Sequence, residues 1–288
     1  MHKAPVAEYP VAKITQPEKG EQIHDMQAND LLAVEQPLEI RIGYGSIEER
    51  QQSAVSVTMC TPGNDFELSA GFLFTEGILK KKEDMVSCRY VGDVNSPGNK
   101  NNIVLVELQP GVEFDPKKLQ RHFYTSSSCG VCGKSSIDAV WNVIEKRDAA
   151  DAIRIPASII ISLPELLKKR QEVFGQTGGL HASALFDIHG RLLYVHEDVG
   201  RHNALDKLVG VALSAGELPL DQHLLLLSGR ASFELVQKAA MAGIRIVCAV
   251  GAPSSLAVDM AREFGITLIG FLRDQRFNIY TGGERVEV

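Results

Sequence analysis

The sequence lacks any apolar run long enough to span a bilayer. Its first 30 residues, which mix Pro10, Pro17, Lys19, Glu21 and Asp25, contain no hydrophobic stretch of signal-peptide type. Together these absences lead us to expect a cytoplasmic protein with no membrane partner. A basic excess is missing too: 30 Lys and Arg stand against 36 Asp and Glu, a net charge of −6. That balance excludes an electrostatic grip on nucleic acid, and any anionic ligand must be held by a local site. Cysteine is scarce and odd in number, at five, and Cys60, Cys88 and Cys248 lie singly in apolar segments. This is no disulfide framework, and a reducing compartment fits it.

What is present is enough apolar material, 44% of 288 residues, for one large or two ordinary domains. Residues 1–30 show neither helical nor strand spacing and read as a polar, loosely ordered tail. From Leu38 the pattern changes. Leu38, Ile40 and Ile42 alternate with charged residues, Val55, Val57 and Met59 alternate again, and Ile103 to Val106 is a short apolar run, so strands are expected in each. Thr61 to Asp65 reads as a turn that caps a helix through Phe66, Phe72 and Leu73. Residues 31–150 therefore read as a mixed α and β region. A capping pattern at Ser135 and Asp138 predicts a helix through Ile137, Val140, Trp141 and Ile144, and another at Ser162 and Glu165 predicts one that ends near Gly175.

Residues 151–288 read as an α/β region. Strands at His223 to Leu227, Ile244 to Val250 and Ile266 to Phe271 alternate with helices at Ala231 to Ala242 and Leu256 to Phe264, closed by Gly243 and Gly265. Such alternation through short loops implies parallel pairing. Ligands in these sheets sit beyond the carboxyl ends of the strands, where helix N-termini face an anion. The turns Ser228-Gly229-Arg230 and Gly251-Ala252-Pro253-Ser254-Ser255 fall at those ends and point to a phosphate-bearing ligand.

The chemistry concentrates in Ser128-Cys129-Gly130-Val131-Cys132-Gly133. A thiolate is the reactive form of cysteine, and a helix start such as that expected at Ser135 stabilises it. Flanking Gly and Ser suit a sulfur that several partners must reach. A structural pair would sit in an apolar run, as Cys248 does. Zinc would need a second half-site; no second Cys-x-x-Cys exists, and His181, His189, His196 and His202 lie downstream with the wrong spacing for a deaminase-type site. No zinc is expected. A dithiol oxidoreductase and a persulfide carrier both remain compatible with the residues.

Beyond the loop, the blocks Ser126 to Ser136, Thr177-Gly178-Gly179-Leu180-His181-Ala182, Glu197 to Lys207, Ser228 to Glu234, Gly251 to Ser255, Phe271 to Arg276 and Asn278-Ile279-Tyr280 occur in order. In these blocks the chain resembles the formate dehydrogenase accessory sulfurtransferase family from about residue 35 onward. The resemblance implies a cytidine-deaminase-like α/β fold without the deaminase zinc, and a homodimer. It implies a carrier that takes sulfur from a cysteine desulfurase as a persulfide on Cys129, with Cys132 assisting or dispensable. The sulfur would pass to the molybdenum cofactor, the bis-molybdopterin guanine dinucleotide form, for formate dehydrogenase, and a guanine nucleotide would bind the same site. Phe271, Leu272, Arg273, Asp274, Gln275 and Arg276 match the cofactor-binding stretch of that family. With that ligand, Ser228, Gly229, Arg230, Gly251, Ser254 and Ser255 become candidate phosphate or guanine contacts. Asp198 and His202, four apart on an expected helix, are candidates for a carboxylate that orients an imidazole, or for a helix cap and a hydrogen-bonded histidine. A thiol–disulfide oxidoreductase and a zinc-stabilised cofactor-binding chaperone are the competing readings.

Overall fold

A computed structural model of the chain describes residues 4–16, 19, 24–92, 102–115 and 153–288. The Cys129–Cys132 loop and the helix expected after Ser135 lie outside the described residues.

The class is mixed α/β, as expected. Strands β1 (Val6–Thr15) and β2 (His24–Ala33) form an antiparallel two-stranded ribbon. This corrects the reading of residues 1–30 as a loosely ordered tail. The ribbon is exposed on most positions, with Tyr9, Ile14 and Met26 open to solvent. No buried face imposes the period-two pattern by which a strand is recognised.

A four-stranded sheet follows in the order β4-β3-β6-β5, built from β3 (Gln36–Tyr44), β4 (Gln51–Cys60), β5 (Met85–Tyr90) and β6 (Ile103–Leu108). Leu38, Ile40 and Ile42 project from one face of β3 and are fully buried, which is why they alternate with charge. Helix α1 (Asp65–Thr75) starts after the Thr61-to-Asn64 turn, with Asn64 as N-cap in the left-handed region at φ 58°.

The second sheet has six strands in the order β13-β12-β11-β10-β8-β9. They are β8 (His181–Asp187), β9 (Leu192–Asp198), β10 (His223–Leu227), β11 (Ile246–Ala249), β12 (Thr267–Arg273) and β13 (Arg276–Thr281). The pairs β10–β11 and β11–β12 are parallel, whereas β8 runs against β10 and β13 against β12. The central strands are unbroken apolar runs because both faces are covered. Leu225, Leu227, Val247 and Ala249 enter one hydrophobic cluster, and Leu224, Leu226, Ile246 and Cys248 enter the other.

Helix α2 (Ala157–Lys168) supplies Ile160, Leu163 and Leu167 to the second cluster. It begins at Pro156 rather than at Ser162, and Ser162 Oγ donates to the Ile159 carbonyl inside the helix, 2.7 Å away. The Ser162/Glu165 pattern is thus no capping box: Pro156, with φ fixed near its helical value, already sets the start. A separate short helix α3 (Glu172–Thr177) follows, closed by Gly178 in the left-handed region.

Helices α4 (Arg201–Ala215), α5 (Phe233–Met241) and α6 (Ser255–Glu263) line the first cluster. That cluster also takes Leu38, Val104, Leu68 and Leu73 from the N-terminal elements, so the regions on either side of residue 150 share one core. Helix α1 crosses α4 at two glycines: a Cβ on Gly71 would collide with the Asp206 carbonyl, and one on Gly210 with the Glu67 carbonyl. The short strands β7 (Ile155–Pro156) and β14 (Val286–Glu287) pair in parallel and bring the last residues back against the start of α2. Among the described residues no helix is long and apolar enough to cross a membrane.

Candidate functional site

The carboxyl ends of β10, β11 and β12 share one edge of the six-stranded sheet with the start of β8 and the start of β13, which run the opposite way, and with the end of β9, which runs the same way as β10. Helices α4, α5 and α6 begin at that edge. Their N-termini bring unpaired N–H groups and partial positive charge to it.

At the edge the turns are stitched together by backbone. Gly251 N donates to Gly229 O at 2.9 Å, Phe271 N donates to Gly251 O at 3.0 Å, and Ser254 N donates to Ala231 O at 3.0 Å. Gly251 has to be glycine: a Cβ there would stand 2.9 Å from Arg230 Cγ and 3.1 Å from Gly229 O. The two turns nest, and Arg230 stacks its stem on Gly251 with its guanidinium exposed. Ser228 ties the edge to β8, its Oγ accepting from Ala182 N at 2.8 Å. Ser254 caps α6 by accepting from Ala257 N, and Ser255 opens that helix on the exposed side.

The stretch Phe271 to Arg276 is the β12–β13 hairpin. Asp274 and Gln275 both take positive φ, at 53° and 58°, the geometry of a type I′ two-residue turn, and they leave Arg273 opposite Arg276. Phe271 also has a positive φ, 53°, at the irregularity between Gly270 and Arg273. For a bulky residue this is a strained conformation of the kind that clusters at ligand sites. The Arg273 guanidinium lies 5.9 Å from the Phe271 ring centroid. Leu272 is the exception in the stretch: its side chain is 1% exposed and belongs to the core.

Asp198 and His202 do not share a helix. Asp198 is the last residue of β9 and fully buried, whereas His202 is the second residue of α4, which follows Gly200. The expectation that they meet on one helical face is therefore corrected. Asp198 Oδ2 lies 2.7 Å from Lys207 Nζ and accepts from Thr61 N, while Oδ1 accepts from Gly200 N and Asn203 Nδ2. Asn203 Nδ2 also donates to Met59 O, and Lys207 Nζ to Thr61 O at 2.9 Å. With every acceptor turned inward, Asp198 clamps the start of α4 to the turn after β4. Asn203 and Lys207 are structural members of this motif that sequence reading did not single out; their only signal was their presence in the Glu197-to-Lys207 block.

The histidines at this edge are neutral. Burial, with the nearby Lys207 charge, lowers His196 to about 4. Burial, then the charges of Lys238, Arg201 and His181, lower His202 to about 3. His181 is lowered by burial and by Arg201, against an opposing pull from Asp198, and its Nδ1 lies 3.4 Å from where a Cβ on Gly229 would be. Sequence reading weighed His181 only as a metal ligand and passed over Arg201. Among the described residues no cluster of His, Cys, Asp and Glu has metal-holding geometry.

The described thiols are poor nucleophiles. Cys60 and Cys248 are fully buried and Cys88 partly so, and burial pushes each up to about 12, with acidic neighbours adding to the shift at Cys60 and Cys88.

The model of the FdhD/NarQ family matches residues 33–287. The sulfur carrier protein FdhD of Mycolicibacterium paratuberculosis is 50% identical over 258 residues, covering 89% of this chain and 92% of that protein. The protein of the same name from Streptomyces avermitilis is 48% identical over 263 residues, 89% of each chain. That from Sulfurisphaera tokodaii is 44% identical over 259 residues, covering 90% of this chain and 92% of the other. The crystal structure of a putative formate dehydrogenase accessory protein from Desulfotalea psychrophila shares the fold, with a TM-score of 0.69 at 23% identity over 99% of this chain and 100% of that one.

Proposed function

The chain belongs to the FdhD/NarQ family, and from that premise we propose that it is a cytoplasmic sulfur carrier for formate dehydrogenase, with Cys129 as the carrying thiol. The single observation that supports this most is near full-length similarity, at about half identity, to proteins called sulfur carriers. The structure adds an argument by elimination. Of five cysteines, Cys60 and Cys248 are buried and Cys88 partly buried, all three held protonated at neutral pH, which leaves Cys129 and Cys132 for nucleophilic chemistry.

In this reading a cysteine desulfurase presents a persulfide. The Cys129 thiolate attacks its terminal sulfur, the desulfurase sulfur–sulfur bond breaks, the desulfurase thiolate leaves, and Cys129 holds the new persulfide. The carrier then delivers that sulfur to a molybdenum cofactor in its bis-molybdopterin guanine dinucleotide form. Such a client is polyanionic. Arg230, Arg273 and Arg276, all exposed, and the three helix N-termini supply local positive charge on a chain of net −6. Gly229 and Gly251 keep the turns slim enough for a phosphate to approach backbone N–H groups. A homodimer and a cytidine-deaminase-like fold of the α/β part belong to the same reading.

Complementation tests it. In a strain whose formate dehydrogenase is inactive for want of its sulfur carrier, the wild-type chain is expected to restore formate oxidation and Cys129→Ser to restore none. Full restoration by Cys129→Ser would overturn the assignment.

A further inference from the structure

Strands β1 and β2 pair over ten residues each, which makes a ribbon about 33 Å long. Its main contact with the rest of the described residues is at its root, where β2 meets α3. There a Cβ on Gly179 would stand 3.8 Å from Ala33 Cβ. Beyond the root, Tyr9 and Met26 are 53% and 62% exposed. A two-stranded ribbon is only marginally stable in water without a further layer packed against it, so this one calls for a surface to lie on.

Charge separates its two faces. Apolar residues occur on both, but the register Tyr9↔Asp30, Val11↔Ala28 and Lys13↔Met26 gives one face a lysine and an aspartate, whereas Glu8 and Asp25 lie on the other face with no cation. A neutral surface is also open on the body. The pairs Pro37↔Met59 and Glu39↔Val57 put Val57 and Met59 on the outer side of the four-stranded sheet, 66% and 48% exposed. Strand β4 carries no charged residue, and Glu39 is matched by Arg41, 2.7 Å away. Such a patch accepts the charge-balanced face of the ribbon and disfavours the face whose carboxylates would lose water without gaining a cation.

Area selects the partner. One ribbon face measures about 33 by 10 Å, so laid on another protein it would bury ~650 Å² in all, short of the ~1,200–2,000 Å² of a stable interface. A two-fold axis doubles this to ~1,300 Å², because each copy then contributes one ribbon and one patch. The patch begins at Pro37, close in sequence to the ribbon root at Ala33, so an axis beside the root brings each ribbon to the other copy's patch. We propose that the β1–β2 ribbon is an exchanged arm: two copies of the chain pair about a two-fold axis, and the Tyr9 and Met26 face of each ribbon covers the Val57 and Met59 patch of the other. This gives the homodimer of the reading above its interface, and it rests on that reading.

Size-exclusion chromatography with light scattering, run on the full chain over a dilution series, tests it. Wild type is expected to be a dimer. Met26→Lys and Val57→Lys are each expected to raise the dissociation constant at least about a hundredfold, since each would bury an unpaired ammonium at the contact. Ile14→Lys, on the opposite face of the ribbon, is expected to leave it unchanged. Combining Met26→Lys with Val57→Glu in one chain is expected to recover part of the loss, because opposite charges then meet across the contact. A dimer that survives Met26→Lys overturns the arm and leaves the homodimer standing. A dimer lost to Met26→Lys but kept in Val57→Lys overturns the patch as the seat of the arm, and Met59→Lys stands in should Val57→Lys melt early. A monomeric wild type overturns both the arm and the homodimer.

Discussion

The residues that matter most at the sheet edge divide into those turned inward and those left open. Asp198 and Lys207, at 0% and 2% exposure, form an ion pair whose remaining hydrogen-bonding capacity is met by Thr61, Gly200 and Asn203. Removing one partner strands the other charge, so Lys207→Met is expected to lower unfolding free energy by about 3–5 kcal/mol, measured by urea denaturation. At Lys238 burial opposes the charge, but the carboxylates of Asp206 and Glu76 outweigh it and hold the ammonium's pKa above its ordinary value. The neutral histidines make stability pH-dependent in one direction. His196 and His202 titrate near 4 and 3 when folded and near 6.5 when free. As pH falls below about 6.5 the unfolded chain gains protons that the folded chain refuses, so stability drops, by at most ~1.4 kcal/mol per pH unit for each histidine. The melting temperature at pH 5 is expected to lie below that at pH 7.5, and His202→Gln to flatten the difference. A melting temperature that rises toward pH 5 would contradict the neutral assignment.

Among the elements, those buried on both faces were legible in the sequence and those exposed on both were not. Strands β10, β11 and β12 and helices α5 and α6 could be read because continuous apolar runs and helical spacing meet clear Gly stops at Gly243 and Gly265. The β1–β2 ribbon was missed because neither of its faces is selected for apolar residues, and Pro10 interrupts it. The Ser162 pattern misled because Ser and Glu three apart are also ordinary within a helix, where Ser162 bonds back to Ile159. The separation of Asp198 from His202 was invisible for a related reason: a spacing of four suggests one helical face only if both residues are helical. The crossing of α1 over α4 could not be foreseen either, since Gly71 and Gly210 acquire their purpose only from the backbone opposite each. Gly71→Ala or Gly210→Ala is expected to cost at least about 1–3 kcal/mol, because the added methyl meets a carbonyl rather than a movable side chain. Thermal melts of the single variants check this, and an unchanged midpoint would mean that the helices do not approach so closely.

For the whole molecule, the sheet edge assembles residues that the sequence scatters over nearly a hundred positions, from His181 to Arg276, and places them on the N-terminal side of three helices. The turns at Ser228 and Gly251 were recognisable as strand ends. The approach of Glu234 to His202 was not, because it depends on how α4 and α5 align. The proposed role of Cys129 and Cys132 rests on the sequence, on family membership and on the raised pKa values of the three described thiols. The carrier role turns on one covalent change. After incubation of the full chain with a cysteine desulfurase and cysteine, the peptide containing Cys129 is weighed by mass spectrometry. A gain of one sulfur atom that a reductant removes, absent in Cys129→Ser, is the expected result. No gain in the wild-type peptide, or undiminished sulfur loading in Cys129→Ser, would contradict it.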